Sequence, residues 1–316
     1  MLAPFAKFID WSSLQVAAML PPFRKCARSD SKLAEAVEFL NGPNFIPAES
    51  IPAELEFTSK IHFKFQSPRP CEFPENNIVY GRLYGRAKDW QKFPAIILLH
   101  GGGDFLSHRF GFPLAVPVIH HAGFNAATLV APYHFQRWVG RIDSFDHLRV
   151  AEAFAQAVAE IRALVGWLLD CGCPSVSLFG FSFGGWVAGL TATRDARLKA
   201  IVLAMPGVRR NFRAARGELM VSPQMRKALE RQKPARQALD ETPMNLALRK
   251  PVIPTESILL IQGRYDLFLE VEHTEELWQK WNQPDIWRLP HSHISWMLSP
   301  GIYGRVLDWL SPRLTA

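Results

Sequence analysis

From residue 95 onward the sequence alternates short apolar runs with helical patterns, and this alternation constrains the fold more than any other feature. The longest helical pattern, residues 146–169, carries apolar side chains at 3.6-residue spacing. The apolar runs are too short for helices and are typical of buried strands; they lie at 95–99, 126–130, 175–179, 200–204, 258–261 and 286–289. Strands separated by helices need right-handed crossovers, so the sequence predicts a mostly parallel central sheet with helices on both faces.

The length of the chain predicts one large α/β domain with a small insertion. With 316 residues, 48% of them hydrophobic, the chain can bury a full core. Two β-like runs, 55–66 and 78–86, come before the alternating part and predict a hairpin or edge strands. The expected parts are an N-terminal helical segment at 1–54 packed on the core, an α/β core at 55–208 and 254–316, and a helical cap inserted at 209–253.

The motif Gly-Phe-Ser-Phe-Gly at 180–184 places Ser182 between a predicted strand and a predicted helix, residues 185–193. Such a strand–turn–helix context is that of a nucleophile elbow, in which a sharp turn exposes the serine hydroxyl at the helix N-terminus. Glycines on either side leave room for that turn. The sequence therefore predicts Ser182 as a nucleophile.

A histidine and three glycines follow the first apolar run, at 100–103. Glycines let backbone N–H groups point at a developing oxyanion without a side chain in the way. We expect one donor from the residue after the nucleophile, Phe183, and another from Gly102 or Gly103. His100 is expected to brace this loop. Asp104 is expected to be a loop or cap residue, because a carboxylate beside a developing negative charge would hinder the reaction.

Asp266 and His293 each follow one of the last two predicted strands. Ligands of parallel sheets sit outside the carboxyl ends of the strands, so residues there can meet Ser182. A histidine takes the serine proton and later protonates the leaving group, while a carboxylate fixes its tautomer. The order Ser182, Asp266, His293 is the one expected when these roles are divided on such a sheet.

Both assignments have rivals. His291 competes with His293 for the role of base, and His293 is preferred because the residues after it lead toward the last helix. The other common place for the acid is after the run 200–204, where no carboxylate follows. His291, His293 and Asp266 can also be read as metal ligands, but no partner from a third strand is visible.

Taken together, these motifs resemble the α/β-hydrolase superfamily over residues 55–314. The resemblance implies a serine hydrolase that cleaves a carboxylic ester or related acyl bond through an acyl-enzyme intermediate, with neither cofactor nor metal. The motif His-Gly-Gly-Gly-Asp, the residues 131–134, the helix 146–170 and the serine elbow also look like the α/β-hydrolase-domain-containing protein 18 type. That narrower similarity names no substrate.

Other functions are compatible with parts of the same sequence. A non-catalytic binding protein can share the fold, since fold does not imply function, and a thioesterase or peptidase would use the same residues. Neither a phosphate-binding loop nor a dinucleotide fingerprint is present. Phe181 and Phe183 are expected to line an apolar acyl pocket. His134 and Arg137 are read either as its edge or as ordinary loop residues.

The basic charge of the chain is concentrated in the insertion. Residues 209–253 hold 11 Lys or Arg and 4 Asp or Glu, which accounts for the net charge of +7. We expect a small helical lid with helices near 222–231 and 234–240. It either attracts an anionic substrate or associates weakly with an anionic surface, or is simply solvated. Nucleic-acid binding is not expected, because no binding motif accompanies the charge.

The N-terminal residues predict a helix with Phe5, Phe8, Ile9, Leu14 and Met19 on one face. Packing of this face on the body is favoured over anchoring at a membrane surface.

The four cysteines, Cys26, Cys71, Cys171 and Cys173, have no zinc or redox spacing and are expected to be free thiols. With no signal peptide evident, the predicted location is cytoplasmic.

Overall fold

A computed structural model describes residues 3–19, 32–139, 146–219 and 222–315. The described strands form one sheet in the order β1-β2-β3-β5-β4-β6-β7-β8-β9. Their bounds are β1 Glu56–Phe57, β2 His62–Gln66, β3 Ile78–Tyr84, β4 Ala95–Leu99, β5 Asn125–Leu129, β6 Val176–Phe181, β7 Leu198–Ala204, β8 Ile258–Gly263 and β9 Asp285–Leu289.

The sheet is parallel from β5 through β9 and antiparallel at its other edge, where β1, β2 and β3 pair in turn and β3 joins β5. The predicted mostly parallel sheet is confirmed. The predicted run 55–66 is two strands, since a turn in which Thr58 donates its N–H to the His62 carbonyl separates β1 from β2.

Helices cover both faces, as predicted. Apolar side chains of α2, α4, α5 and α9 build the core on one face, and those of α3 and α10 build it on the other. The described helices are α1 Ala3–Met19, α2 Leu33–Asn41, α3 Phe112–His121, α4 His147–Asp170, α5 Phe183–Ala192, α6 Arg213–Arg216, α7 Pro223–Arg231, α8 Lys233–Asp240, α9 Val271–Lys280 and α10 Ile302–Leu314.

Strand register brings the site-bearing loops to one edge of the sheet. Leu99 at the end of β4 is paired with Gly180 of β6, so the glycine loop emerges beside the serine turn. Gly263 at the end of β8 is paired with Leu289 at the end of β9. Parallel strands therefore deliver four loops to the same carboxyl edge, where α/β sheets bind ligands.

The first helix packs with a different face from the predicted one. Ala6, Asp10 and Leu14 are buried, whereas the aromatic side chains of Phe5 and Phe8 are 55% and 61% exposed. Ile9 is half-buried, and the side chain of Met19 lies outside the described residues. The prediction is wrong for Phe5 and Phe8 and right for Leu14, because the buried stripe is centred on Asp10, an acid that hydrogen-bonds the body.

The insertion contains helices α6, α7 and α8, of which the last two match the predicted helical stretches; residues 220 and 221 lie outside the described part. No helix in the described part of the chain is both long and apolar enough to cross a membrane. Cys71, Cys171 and Cys173 are free thiols, and Cys26 is outside the described residues.

Candidate active site

Ser182 occupies a strained turn between β6 and α5. Its backbone has φ 54° and ψ −114°, a conformation that side-chain-bearing residues rarely adopt. A Cβ on Gly180 would overlap the carbonyl oxygen of Gly184, and one on Gly184 would overlap that of Leu99. Only glycine fits at both positions, and the turn is held as the Ser182 N–H donates to the Ala204 carbonyl at 2.9 Å.

Ser182, His293 and Asp266 are joined by two hydrogen bonds in series. The Ser182 hydroxyl lies 2.9 Å from Nε2 of His293. Nδ1 of His293 lies 2.7 Å from Oδ2 of Asp266. Since a carboxylate only accepts, Nδ1 carries the proton and Nε2 is free to accept from the serine. This series of hydrogen bonds ends at Ser182, which is half-buried, so solvent can reach it.

The second oxygen of Asp266 is also fully used. Oδ1 accepts the backbone N–H groups of Phe268 at 2.7 Å and of Leu269 at 2.8 Å. These bonds leave Oδ2 directed at His293. The carboxylate is thereby fixed in position, which is what an orienting acid needs.

Charge around His293 favours its protonated form. Burial alone would lower the pKa of His293, but the negative charge and hydrogen bond of Asp266 outweigh burial and raise it above the ordinary 6.5. The charges of Asp10 and Asp104 act in the same direction. An imidazole with a raised pKa is a stronger base toward a serine hydroxyl.

Two aromatic rings flank the His293 imidazole. Phe268 stacks on it with ring centroids 4.6 Å apart, and Phe181 lies 5.1 Å away. Phe181 is only 3% exposed and packs against Trp296 in the core. The expectation that Phe181 lines an acyl pocket is therefore corrected, because its side chain is buried in contact with His293 and Trp296.

Three backbone N–H groups of the glycine loop and the serine turn have no acceptor in the described chain, those of Gly102, Gly103 and Phe183. A Cβ on Gly102 would lie 3.7 Å from that of Phe183, so the two loops are in contact. Gly103 has a φ of 68°, which turns its peptide in a way that glycine tolerates. The loops that hold these donors thus lie side by side near the nucleophile.

His100 links the glycine loop to the loop after β5. Its Nδ1–H donates to the Gly101 carbonyl at 2.7 Å, and its Nε2 accepts the Ala131 N–H at 3.1 Å. Protonation would turn Nε2 into a donor facing another donor. Burial, reinforced by the neighbouring His134, holds the pKa of His100 well below 6.5. A permanently neutral His100 matches the bracing role expected for it.

Asp104 caps the helical turn that follows the glycine loop. Its Oδ1 accepts the Ser107 N–H at 3.0 Å, while Oδ2 is buried and accepts from no described group.

The remaining histidine and arginine candidates are structural neighbours of the site. Within the described part of the chain, the His291 ring has one hydrogen-bond contact, with the Ser295 hydroxyl at 3.5 Å. His134 stacks on Phe183 with centroids 5.6 Å apart. Arg137 is fully buried and pairs with Glu160 through two bonds of 2.7 and 2.8 Å, so it supports the loop from below.

Arginines of the insertion make contacts inside the molecule. Arg213 donates to the Asp266 carbonyl at 3.1 Å, and Arg216 pairs with Glu270 at 2.5 Å. Arg209 pairs with Glu276. Part of the basic excess is thus neutralised where the insertion meets the loop of Asp266. The exposed basic side chains of α7 and α8 are Arg226, Lys227, Arg231 and Lys233.

Sequence reasoning missed one residue, Asp10 of α1, which is fully buried beside His293 and Asp266. The signal that can reveal it is an acid in the middle of an otherwise apolar helical stripe, Ala6, Asp10 and Leu14. Buried charges need partners, so such an acid indicates donors on the surface it packs against.

Solved structures similar to this chain include three hydrolases. The esterase Pf2001 of Pyrococcus furiosus is 17% identical, with a TM-score of 0.55 over 83% of this chain and 92% of its own. A putative dienelactone hydrolase from Klebsiella pneumoniae is 15% identical, with a TM-score of 0.54 over 79% and 98%. XC6422 from Xanthomonas campestris, an α/β serine hydrolase without lid, is 15% identical, with a TM-score of 0.54 over 83% and 99%.

At these identities the similarity shows the fold, and the predicted α/β-hydrolase fold is confirmed. No protein-family model and no curated protein sequence matches the chain.

Proposed function

We propose that this chain is a serine hydrolase that cleaves a carboxylic ester or a related acyl bond. One observation carries the proposal: an accessible serine on a strained turn is bonded in series to a histidine and a carboxylate. The three solved structures described above are named as hydrolases, which agrees with this reaction class. The activity needs neither metal nor cofactor, because every group it uses belongs to the chain.

In the acylation step, Oγ of Ser182 attacks the substrate carbonyl carbon while Nε2 of His293 takes its proton. The imidazolium that forms is stabilised by Asp266 through Nδ1–H. The carbonyl oxygen becomes an oxyanion, which accepts from the N–H of Phe183 and from those of Gly102 or Gly103. When the tetrahedral intermediate collapses, His293 passes its proton to the leaving alkoxide and the acyl group remains on Ser182.

In the deacylation step, water repeats the attack. His293 removes a proton from the water, which adds to the acyl carbon, and the second oxyanion is held by the same donors. Collapse breaks the bond to Oγ of Ser182, which regains the proton from His293. The product is a carboxylic acid, and the enzyme returns to its starting state.

A groove of about 330 Å³ is lined by residues of β2 and β3 and of the segments 105–109 and 130–136, and its lining includes neither Ser182 nor His293. Phe105 and Phe135 form part of its wall, and the ring of Phe135 lies 4.8 Å from that of His100. The lining of the groove is mixed, with Arg82, His108 and Arg109 beside the two phenylalanine rings. The proposed acyl site is therefore defined by Ser182 and the oxyanion donors and not by this groove.

Two other functions differ from this one in a specific way. A non-catalytic binding protein has no physical need for a serine at φ 54° bonded to a base, so the strained turn argues against it. A thioesterase or peptidase would use the same groups on another acyl bond. These functions differ from an esterase only in which acyl bond is hydrolysed, so assays with different substrates distinguish them.

The first test is covalent labelling by a fluorophosphonate, which reacts with activated serines. The wild type is expected to be labelled at Ser182, whereas Ser182→Ala, which removes only the hydroxyl, is expected to stay unlabelled. Labelling of both proteins, or of neither while the wild type is folded, would contradict the proposal.

Turnover of p-nitrophenyl esters of rising chain length tests the substrate class. Activity in the wild type and its absence in Ser182→Ala supports an esterase, and the preferred chain length measures the space available to the acyl group. A labelled enzyme that turns over thioesters or amides, with no ester hydrolysed, would instead identify the thioesterase or peptidase.

A further inference from the structure

We propose that Asp10, on the N-terminal helix, is a positioning residue that holds the loops of Asp266 and His293 together. This inference rests on the proposed function, because it concerns the same catalytic groups. It goes beyond that function in assigning a role to a segment outside the α/β core. Asp10 touches no reacting atom and acts through the backbone of its neighbours.

The side chain of Asp10 receives four hydrogen bonds from two loops. Oδ2 accepts the N–H of Leu267 at 3.0 Å and that of His293 at 2.9 Å. Oδ1 accepts the N–H of Ile294 at 2.9 Å and the hydroxyl of Ser292 at 2.7 Å. Leu267 immediately follows Asp266, so one carboxylate joins the loop of the acid to the loop of the base.

This link between the two loops matters because the proposed acid, Asp266, and the proposed base, His293, follow separate strands. Asp266 follows β8 and His293 follows β9, and the bond between them is only 2.7 Å long. A loop shift of about 1 Å is enough to weaken catalysis strongly. Backbone N–H groups in loops have no regular partners, and Asp10 gives three of them an acceptor that lies across both loops.

All four partners of Asp10 donate, so the ionised carboxylate is the form that fits. Burial and the charge of Asp266 raise the pKa of the Asp10 carboxyl above its usual value, and the charge of His293 and the N–H groups limit this rise. The charged groups acting on His293 come from three elements: Asp266 after β8, Asp10 on α1 and Asp104 after β4. Asp10 is therefore also a second source of negative charge behind the base.

Packing keeps α1 in place for this contact. Leu14, one turn after Asp10, is buried against Leu229 of the insertion and near Phe268. Gln15 donates to the Leu219 carbonyl at 2.9 Å. The helix thus bridges the insertion and the two loops, and Asp10 lies at the centre of its buried stripe.

The test compares Asp10→Ala and Asp10→Asn with a matched control, Asp195→Asn. Asp195 is buried like Asp10, with 2% exposure, and binds the Arg197 side chain, but it lies between α5 and β7, away from the carboxyl ends of the strands. Asp10→Ala is expected to lower kcat for the preferred ester by roughly tenfold to a hundredfold with little change in KM. Asp195→Asn is expected to leave kcat per folded molecule unchanged.

The pH profile separates positioning from simple loss of stability. Asp10→Asn keeps the size of the side chain and removes its charge, so the pKa of His293 falls and the acid limb of kcat/KM moves to lower pH. A variant that is merely less folded loses amplitude without moving the limb. An unshifted limb together with wild-type kcat in folded Asp10→Ala would overturn the proposal.

Titration of the His293 ring by NMR reads the same effect without substrate. In Asp10→Asn its midpoint is expected below that of the wild type, while in Asp195→Asn it stays in place. If no ester, thioester or amide is turned over, the proposed function fails, and this titration still decides the role of Asp10. An unchanged midpoint in Asp10→Asn would then refute it.

Discussion

His293 and His100 are both buried at the carboxyl edge of the sheet, and both use their two ring nitrogens, yet they differ in every partner. His293 faces a carboxylate and a serine hydroxyl. His100 faces a backbone carbonyl and a backbone N–H. The pKa of the first is raised despite burial and that of the second is lowered by burial.

The difference shows that the neighbours of a buried histidine decide its role. A histidine paired with a carboxylate can gain a proton at low cost, so His293 suits proton transfer. A histidine whose acceptor nitrogen is occupied by a peptide N–H cannot gain one without losing that bond. His100 therefore acts as a fixed strut between the glycine loop and the loop after β5.

Replacing each histidine by alanine gives the largest expected contrast. His293→Ala removes the base, and kcat is expected to fall roughly 10⁶-fold, as for other serine enzymes that lose this group. His100→Ala only releases the loop that carries the oxyanion donors, and the expected loss is at most about 10²- to 10³-fold.

Initial rates with the preferred ester measure both variants, and circular dichroism checks that each is folded. Equal losses of kcat in His293→Ala and His100→Ala would mean that the two histidines do not differ in role as proposed. A His291→Ala variant is the matched control, because His291 lies two residues from His293 and bonds neither Ser182 nor Asp266.

The loop that His100 binds after β5 is also held by a buried ion pair, Arg137 and Glu160. Loss of this pair is expected to affect stability more than catalysis. Arg137 and Glu160 are 0% and 2% exposed, and Arg137 also donates to the Val130 carbonyl at 2.8 Å, just before the residue that His100 binds. Glu160→Gln leaves the guanidinium without its counter-charge. The free energy of unfolding is expected to fall by about 3–5 kcal/mol.

Urea unfolding measures this loss, and Asp89→Asn provides the control, because Asp89 pairs with Lys92 at the surface. Asp89→Asn is expected to unfold at the same urea concentration as the wild type. A Glu160→Gln protein with wild-type stability but lowered kcat would show that the buried pair serves catalysis. The proposed difference between the catalytic surroundings of His293 and the structural surroundings of His100 would then be wrong.

Much of the fold follows from sequence because its signals are local. Each strand of the parallel part is a short apolar run, and the residues after β6, β8 and β9 share an edge as a geometric consequence. Ser182, Asp266 and His293 were therefore predictable, and they lie in hydrogen-bond contact. The orientation of Phe181 was not, since it depends on how the strained turn rotates the side chain before the serine.

Contacts between distant parts of the chain escaped sequence reasoning. Asp10 and Leu267 are 257 residues apart, and no period or motif links them. The apolar pattern of α1 predicted Phe5 and Phe8 on the packed face, whereas the buried stripe is centred on Asp10, which accepts four hydrogen bonds from residues 267 and 292–294.

The smallest expected effects concern pH, where the two regions respond in opposite directions. His293 has a raised pKa, so the stability it contributes is present below pH 6.5 and is lost as pH rises through its folded pKa. His100 and its neighbour His108 have lowered pKa values, that of His108 being about 4 because of burial. Their contribution is lost as pH falls below 6.5, where the unfolded chain binds protons and the folded one does not.

Activity and stability should therefore fail at different pH values. The acid limb of kcat/KM is expected above pH 6.5, since protonated His293 cannot accept from Ser182.

One pKa unit corresponds to about 1.4 kcal/mol, so His108 alone lowers the free energy of unfolding by about 3 kcal/mol between pH 6.5 and 4. Between the two limits the protein is expected to stay folded with little activity, and activity is expected to return at pH 8. Rates and urea midpoints measured on the same samples test this, with His108→Gln expected to lose less stability at acid pH. If activity and fold were lost at one common midpoint, the opposite protonation behaviour of the two histidine regions would be disproved.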